Sequence, residues 1–428
     1  MGRFRNFCKL VLLLSLFLSG CLFCWTEFSL RDRSVIRQIW KEYTANTNVK
    51  DVFKNYYSRI NTTEQQTRRN DEIILQEEPS TSIQIFTTTN QHTVTGGKTQ
   101  ATSCTPQKNI AFMKTHKCGS STMQNIIMRY GDTRNLTFAL PKIGNYAYDH
   151  MFTMLKPLRK EYVQELPVSR YNILCHHCIF NASAFKDIVY DGALIMTVIR
   201  SPVRVFESTF SYFGWAKHLN LLNYTNPLLE FMNRAEKSSN HKYTSKRNPM
   251  LHSFGLLNRT TNEATINSFI DHLKSAIDFV VITDHFDESL ILLKDKLCWD
   301  FDDIVYFPQL VRHDRNRNNI DGNLAERVKR WNFGDAKLFE YFNQSLWRRI
   351  EEFGRDRMRK ELEKFRERKQ FWKDKCTEGD NISRFFIALK TKPGLGMGSE
   401  CWQMTRSEIF YTRYIRGKQV ESFNITEK

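Results

Sequence analysis

A candidate phosphate-binding loop lies near residue 117, between a short apolar run and a helical pattern. The run Ile110–Met113 is followed by lysine, histidine, glycine and hydroxyl residues, after which apolar residues recur at helical spacing as far as Tyr130, and Gly131 is expected to end the helix. At a helix start, the unpaired backbone N–H groups and the positive end of the helix dipole favour an anion. We therefore predict that a phosphate group binds at Lys117, Cys118, Gly119, Ser120, Ser121 and Thr122.

The order of residues in this loop argues against an ATP or GTP site. In a Walker A motif the lysine follows the last glycine onto the helix. Here Lys117 precedes Gly119, and no earlier glycine lies nearby. A basic strand end capped by serines before an ordinary helix is the structural alternative, which the loop alone does not exclude.

A second anion site is indicated downstream of the first. The run from Ala193 to Ile199 is almost continuously apolar, as in a strand buried on both faces of a parallel sheet, and Pro202 then suits a first helical turn. Arg200 would emerge at the carboxyl end of this strand, where open α/β sheets bind ligands. Ser208 lies eight residues beyond Arg200. A guanidinium and a hydroxyl converging there suit a second phosphate.

Together the two segments resemble a sulfotransferase. The loop from Lys117 to Thr122 is similar to the 5′-phosphosulfate loop of enzymes that bind 3′-phosphoadenosine 5′-phosphosulfate (PAPS). The Arg-x-Pro segment with its later serine, Ser208, is similar to the 3′-phosphate site of the same enzymes. This resemblance implies PAPS as the co-substrate.

The resemblance extends to the galactose-3-O-sulfotransferases, Golgi enzymes that sulfate the 3-hydroxyl of β-linked galactose. The matching segments follow the family's order and include residues 112–122, 176–181, 200–213 and 285–299. The His-Phe-Asp-Glu-Ser helix at 285–289 points to the galactose group in particular. The acceptor implied is a β-galactoside on a glycolipid or glycoprotein. Cys118 departs from the threonine expected in many members.

The resemblance also implies catalytic roles. Sulfuryl transfer needs positive charge on the leaving oxygen and a base for the acceptor hydroxyl. Lys117 is expected to neutralise the oxygen that bridges sulfur to the 5′-phosphate. His177 is expected to be the base, because a similar His-x-His segment in uronyl 2-O-sulfotransferases has its second histidine at this position. His176 is the alternative base. The sequence does not say whether Lys114 and His116 face the acceptor or pack against the loop.

The elements that must position these residues form an alternating pattern. Strands are predicted at 110–113, 171–175, 193–199 and 279–283, with helices between them, which indicates a three-layer α/β fold with a parallel sheet. A densely charged helix is predicted from Leu346 to Lys375. Most aromatics among Phe210, Tyr212, Phe213 and Trp215 are expected in the core, with Trp215 an alternative stacking surface for galactose. The catalytic domain is predicted to span residues 108–428.

The N-terminal region indicates a secretory membrane protein. Residues 1–9 carry basic side chains and precede an uncharged apolar stretch at 10–25, which we interpret as a signal-anchor that leaves residues 1–9 in the cytosol. A cleaved signal peptide is the alternative. Residues 26–107 are polar and Thr-rich, as in a flexible stem. We predict a single-pass type II protein of the Golgi membrane with a lumenal catalytic domain.

Cysteines and glycosylation sequons fit an oxidising compartment. Seven cysteines lie beyond the apolar stretch, which allows up to three disulfides of unknown connectivity. The Cys175–Cys178 cluster contains two histidines, but adjacent residues of a strand point to opposite faces and no second ligand pair follows, so no metal is predicted. Asn-x-Ser/Thr triplets begin at Asn61, Asn135, Asn181, Asn223, Asn258, Asn343, Asn381 and Asn424.

Three function classes remain open from sequence. The formal charge of +17 implies affinity for polyanions, but no nucleic-acid-binding motif accompanies it, and we predict no nucleic-acid partner. A galactose sulfotransferase is the main prediction, with a sulfotransferase of another glycan, of the uronyl 2-O type, as its nearest variant. A lumenal glycan kinase would need acidic metal ligands by the loop. A non-catalytic basic glycan-binding membrane protein would not need the two anion sites. The acceptor's identity and the oligomeric state are not predicted.

Overall fold

A four-stranded parallel sheet forms the centre of the protein. The computed structural model describes residues 104–148, 156–307, 311–312, 317–382 and 386–425. The strands are β1 (Ile110–Met113), β2 (Ile173–Leu174), β3 (Leu194–Ile199) and β4 (Phe279–Ile282). Their order is β2-β1-β3-β4, and every neighbouring pair is parallel. Every residue of these strands is buried, which confirms the interpretation of the apolar runs as strands of an α/β fold.

The helices connect and cover these strands. In chain order, the helices of the described ranges are α1 (Ser120–Asp132), α2 (Ala182–Ile188), α3 (Pro202–Tyr212), α4 (Trp215–His218), α5 (Pro227–Ala235), α6 (His241–Thr244), α7 (Pro249–Ser253), α8 (Glu263–Ala276), α9 (Phe286–Leu297), α10 (Phe301–Ile304), α11 (Gly322–Trp331), α12 (Phe333–Phe353), α13 (Arg355–Cys376), α14 (Glu400–Thr405) and α15 (Glu408–Ser422). Two 3₁₀ turns, Lys160–Tyr162 and Thr283–His285, complete the helical structure of these ranges.

A small antiparallel sheet lies apart from the central one in the topology. It contains β5 (Val311–Arg312), β6 (Thr377–Ile382) and β7 (Phe386–Thr391), in the order β5-β7-β6. The sequence analysis did not predict this sheet.

Two predicted helices differ from the structure at a glycine: one continues past Gly131, and the other is divided at Gly354. Gly131 does not end α1 but lies inside it, one residue before its last. A Cβ at this position would meet the Ile173 Cδ1 atom at 2.3 Å, so glycine there permits close packing of α1 on β2. The predicted charged helix from Leu346 to Lys375 is divided at Gly354, which separates α12 from α13 and has a φ of 93°. A side chain is strained at that φ, so the glycine permits the turn between the two helices.

Two apolar clusters form the core. The larger surrounds the central sheet, and the smaller packs α3, α5 and α11 together through residues such as Phe206, Phe231 and Trp331. Trp215 is 8% exposed within the smaller cluster, so it offers no stacking surface to a sugar. Tyr212 and Phe213 are 51% and 42% exposed, so the prediction that most of these aromatics are core holds only for Phe210 and Trp215.

Two disulfides stabilise the described part of the chain, Cys104–Cys298 and Cys376–Cys401. The first attaches the end of the predicted stem to the domain, as do the hydrogen bonds from Gln107 N to Leu297 O (2.9 Å) and from Trp299 Nε1 to Gln107 O (3.1 Å). The predicted tail, the signal-anchor and the stem as far as residue 103 lie outside the described residues. Within the described ranges, no helix is both long enough and apolar enough to span a bilayer.

Candidate active site

The candidate site lies at the carboxyl edge of the central sheet. Because all four strands are parallel, their carboxyl ends meet at one edge. After β1 the chain adds β2 on one side of β1 and then β3 on the other, so the order in which strands are added switches sides between β1 and β3. Ligands of open α/β sheets bind in the crevice at such a point. The predicted phosphate loop follows β1 at this edge, and Arg200 follows β3 at the same edge.

The N-terminus of α1 is suited to an anion. Gly119 is its N-cap, with a φ of 73°, and no side chain caps the helix. The first turn of α1 contains no acidic residue. Thr122 N is bonded to the Gly119 carbonyl at 3.1 Å, whereas the N–H groups of Ser120 and Ser121 precede that bond and have no partner within the helix. These donors and the helix dipole are available to a phosphate.

Neighbouring strand ends fix the shape of the loop. The hydroxyl of Thr283, directly after β4, lies 2.5 Å from the Cys118 carbonyl oxygen and 3.1 Å from the Ile199 carbonyl oxygen, so its one proton is shared between these two acceptors. A Cβ at Gly119 would lie 3.3 Å from the Thr283 methyl group. Both the φ and this approach favour glycine at 119. Thr283 therefore joins the loop to β3 and β4, a role that the sequence analysis did not assign.

Most side chains of the loop are hydrogen-bonded to other protein groups or buried, and are not directed into an open site. Ser120 donates its hydroxyl to the Thr115 carbonyl at 2.5 Å, and Ser121 donates to Glu408 Oε2 at 2.7 Å. Cys118 is fully buried, and burial raises the pKa of its thiol to about 12. The Thr122 side chain is 9% exposed. The loop can therefore bind an anion chiefly through its backbone.

Lys117 and Arg200 bring two cations to the crevice. Arg200 Nη1 lies 3.4 Å from the Lys117 carbonyl oxygen, and Lys117 itself has a φ of 60°. The Lys117 ammonium stands 3.8 Å from the centre of the Tyr212 ring, a cation–π contact. Burial lowers the pKa of Lys117 to about 8, and the charges of Lys114 and Arg312 act in the same direction. Glu408 acts in the opposite direction, but burial and the neighbouring cations prevail, so a bound anion would stabilise the Lys117 ammonium.

The residues of the second predicted anion site lie after β3 and in the first two turns of α3. Asp284 accepts a hydrogen bond from Ser201 N at 2.8 Å and pairs with Arg204 Nε at 3.6 Å, which fixes the turn that follows Arg200. Burial is the main cause of a lowered pKa at Arg200. Ser208 lies half-buried in the second turn of α3.

His177 lies close to the loop, with both ring nitrogens engaged. Nδ1 is 2.9 Å from the Lys114 carbonyl, which can only accept, so Nδ1 carries the proton. Nε2 is 2.9 Å from Lys114 Nζ, and the ring stacks on His116 with centroids 4.0 Å apart. Burial holds the pKa of His177 well below its usual value, and the nearby His116 and Lys114 contribute. His177 is therefore a neutral imidazole whose lone pair receives a hydrogen bond from a lysine.

His176 occupies different surroundings from His177. Its side chain is fully buried, with Nε2 2.8 Å from the Thr412 hydroxyl of α15 and an edge contact to Tyr148. Burial keeps the pKa of His176 well below 6.5. These contacts describe a histidine that joins α15 to the sheet.

Lys114 and Glu408 complete the group around His177. Lys114 is 1% exposed, and its ammonium donates to Glu408 Oε2 (2.7 Å) as well as to His177. Local sequence patterns do not decide whether Lys114 faces the acceptor or packs against the loop, and they give no indication of Glu408. Glu408 lies 294 residues from Lys114 in sequence, so local patterns carry no signal for the pair.

Across the described ranges, no three His, Cys, Asp or Glu side chains are grouped so as to hold a metal ion. Cys175 and Cys178 are buried free thiols.

The sequence of this chain is similar to proteins of one known family. The family model described as galactose-3-O-sulfotransferase matches residues 75–407. Galactosylceramide sulfotransferase of Mus musculus is 34% identical over 282 residues, 64% of this chain and 66% of that protein. Galactose-3-O-sulfotransferase 3 of Homo sapiens is 28% identical over 356 residues, 74% of this chain and 81% of that protein. Galactose-3-O-sulfotransferase 2 of Sus scrofa is 29% identical over 277 residues, 64% of this chain and 70% of that protein. The family model covers well over half of the sequence, and the chain therefore belongs to the galactose-3-O-sulfotransferase family.

Proposed function

We propose that this chain is a PAPS-dependent sulfotransferase that moves a sulfuryl group to the 3-hydroxyl of β-linked galactose on a glycolipid or glycoprotein. The observation that carries the proposal is the contact between the phosphate loop and the end of β3, with Arg200 Nη1 3.4 Å from the Lys117 carbonyl. Two anion-binding elements at one crevice suit a nucleotide with phosphates on both its 5′ and 3′ positions. Family membership and the names of the relatives support the same activity.

The residues present fit PAPS. The uncapped N-terminus of α1 and the absence of acidic residues from its first turn suit the 5′-phosphosulfate. Arg200 and Ser208 would hold the 3′-phosphate, Arg200 through a charge-assisted hydrogen bond. When bound, PAPS supplies an activated sulfuryl group.

Lys117 and His177 take the two chemical roles. The Lys117 ammonium stabilises negative charge on the leaving oxygen, and α1 adds backbone donors to the same phosphate. His177 Nε2 takes the proton of the acceptor hydroxyl once Lys114 has moved off that nitrogen. The neutral state of His177 suits a base. His176 is a poorer candidate, because its Nε2 contacts Thr412 in a fully buried position.

Exposed aromatics suit the galactose acceptor. The Phe213 ring lies 6.4 Å from the ring of His116, which stacks on His177, and Phe213 is 42% exposed. An exposed ring beside the base offers a surface for the apolar face of a sugar. We assign Phe213 this role, with Tyr212 beside it, 5.1 Å away between ring centres.

The cellular setting follows the sequence analysis. We propose a single-pass type II protein of the Golgi membrane, with residues 1–9 cytosolic, 10–25 as signal-anchor, 26–107 as stem and 108–428 as the lumenal catalytic domain. Two disulfides in the described residues support an oxidising compartment. Exposed sequons at Asn135, Asn223 and Asn258 support glycan attachment there.

Nucleotide preference and acceptor use test the proposal. Purified protein should bind 3′-phosphoadenosine 5′-phosphate (PAP) in preference to ATP, measured by calorimetry. It should then transfer radiolabelled sulfate from PAPS to a panel of β-galactosides that includes galactosylceramide, Galβ1-3GalNAc and N-acetyllactosamine. A preference for ATP would indicate a kinase, and no nucleotide binding would indicate a non-catalytic glycan-binding protein. Transfer to uronic acid glycans alone would refute the galactose acceptor.

A further inference from the structure

Lys114, His177, Glu408 and Ser121 form one buried polar group beside the phosphate loop. Lys114 Nζ lies 2.7 Å from Glu408 Oε2, 2.9 Å from His177 Nε2 and 3.3 Å from Ser121 Oγ, so each of its three N–H donors has an acceptor. Glu408 Oε2 also accepts from Ser121 Oγ at 2.7 Å. The side chains of Lys114 and Glu408 are 1% and 17% exposed. An ammonium this deeply buried requires its counter-charge.

The C-terminal helix holds Glu408 in place. Glu408 is the first residue of α15, and this helix is fixed along α1 by Asp132, which accepts hydrogen bonds from Tyr411 (3.1 Å) and Lys418 (2.6 Å). The Cys376–Cys401 disulfide ties the preceding helix α14 to α13. The matched residues of the family model end at 407, one residue before Glu408. Glu408 therefore lies beyond the matched segment, although its partners Lys114, Ser121 and His177 lie within it.

This arrangement has a consequence for His177. The proposed base can accept a proton only at Nε2, since Nδ1 already carries one. In this structure Lys114 occupies Nε2. Lys114 can leave that nitrogen at a low free-energy cost only if its charge stays paired with another group. Glu408 supplies a carboxylate within hydrogen-bonding distance of the ammonium. Without Glu408, His177 Nε2 and Ser121 Oγ are the acceptors left to the ammonium, so it stays on the base.

We propose that Glu408 is a positioning residue, which retains the Lys114 ammonium and so frees His177 Nε2 for the acceptor hydroxyl. The inference rests on the proposed function, because it assigns His177 as the base. Glu408 acts through Lys114 and does not itself contact the substrate.

A double-mutant cycle tests the proposal. Glu408→Gln keeps the shape of the side chain and removes its charge. We expect kcat to fall roughly 10²-fold, the low end of what a general base contributes, with the Kd for PAP changed less than about threefold. In a Lys114→Met background, the same substitution should change kcat less than about threefold, because no ammonium remains to be held. An undiminished fall of kcat in that background would overturn the proposal, as would no fall in the otherwise unaltered enzyme.

Histidine NMR gives a readout that does not depend on turnover. In ¹⁵N-histidine-labelled protein, with His177 assigned by His177→Ala, Glu408→Gln should shift the His177 Nε2 resonance. Glu421→Gln, at an exposed position of the same helix, is the matched control and should leave both the resonance and kcat unchanged. An unmoved resonance in Glu408→Gln overturns the proposal even if Lys114→Met is inactive. If the unsubstituted protein neither binds PAP nor transfers sulfate, the proposed function fails, and the resonance still reports the contact.

Discussion

The carbonyl oxygen of Lys117 accepts a hydrogen bond from Arg200 Nη1 at 3.4 Å, and this contact joins the ends of β1 and β3. The two residues are 83 positions apart in sequence. The parallel pairing of β1 with β3 brings them together, with Met113 opposite Thr197 in the last aligned pair. This proximity supports the proposal that one nucleotide with two phosphate groups contacts both the loop after β1 and the arginine after β3.

Arg200→Ala should remove selectivity for the 3′-phosphate. We expect affinity for PAP to fall roughly 10–100-fold, equivalent to about 1.5–3 kcal/mol for a lost charge-assisted hydrogen bond, and affinity for adenosine 5′-phosphosulfate to change much less. Calorimetry with both nucleotides measures the difference. Lys217→Ala, an exposed cation on α4, is the control for a general loss of positive charge. Equal losses for both nucleotides would place the 3′-phosphate elsewhere.

Substitutions of the two adjacent histidines should have different effects: loss of His177 should affect turnover, and loss of His176 should affect stability. His177→Ala should abolish sulfate transfer while the Kd for PAP stays within about threefold, because His177 is assigned to proton transfer and not to the nucleotide. His176→Ala should lower the free energy of unfolding by about 1–3 kcal/mol, because it leaves the buried Thr412 hydroxyl without this partner. Denaturant unfolding and a transfer assay on both variants check the pair. Retained turnover in folded His177→Ala would refute its assignment as base.

The central sheet was predictable from sequence because its strands lie in short apolar runs, and β1, β3 and β4 are each followed directly by a polar residue. The loop at Gly119 and the arginine at 200 follow directly from such runs, so local patterns located both. The partners that complete the site come from distant segments. Glu408 and Thr412 reach the site from the C-terminal helix, and Thr283 reaches the loop from β4. A single buried ion pair between distant positions has no periodicity, and sequence analysis therefore could not locate it.

The side chains of the loop show a second limit of sequence patterns. A run of serines and threonine after glycine indicates hydroxyl ligands for a phosphate, yet Ser120 donates to Thr115 and Ser121 donates to Glu408. The residue types of the loop predict the backbone conformation that leaves its N–H groups available to an anion. They do not predict where the serine hydroxyls point, because that direction depends on tertiary contacts. The same limit applies to Trp215, which packs in the smaller core cluster while Phe213 remains exposed.

The acid–base behaviour of Lys117 should appear in the alkaline limb of kcat/KM for PAPS. Burial lowers the pKa of Lys117 to about 8, and its role at the leaving oxygen needs the protonated form. The protonated fraction of the free enzyme falls as pH rises through that value, so kcat/KM should fall with it, toward tenfold per pH unit. The limb in kcat should lie at higher pH, because a bound anion favours the ammonium. The Lys117→Arg variant should not show this fall of kcat/KM near pH 8. If the fall is retained in that variant, a group other than Lys117 causes it.

Phe213→Ala should weaken acceptor binding without affecting the donor. Phe213 is exposed, and its ring lies 6.4 Å from the His116 ring beside the proposed base, so its loss removes an apolar surface for galactose. We expect KM for the galactoside to rise roughly 5–10-fold, about 1 kcal/mol of lost aromatic contact, while the Kd for PAP is unchanged. Phe410→Ala, at a position on α15 that is 51% exposed, is the matched control.

Phe213→Leu should recover part of the loss, since it restores apolar area but not a flat ring. An unchanged KM in Phe213→Ala would exclude this surface from acceptor recognition and direct the search to Tyr212, whose ring lies 5.1 Å from that of Phe213.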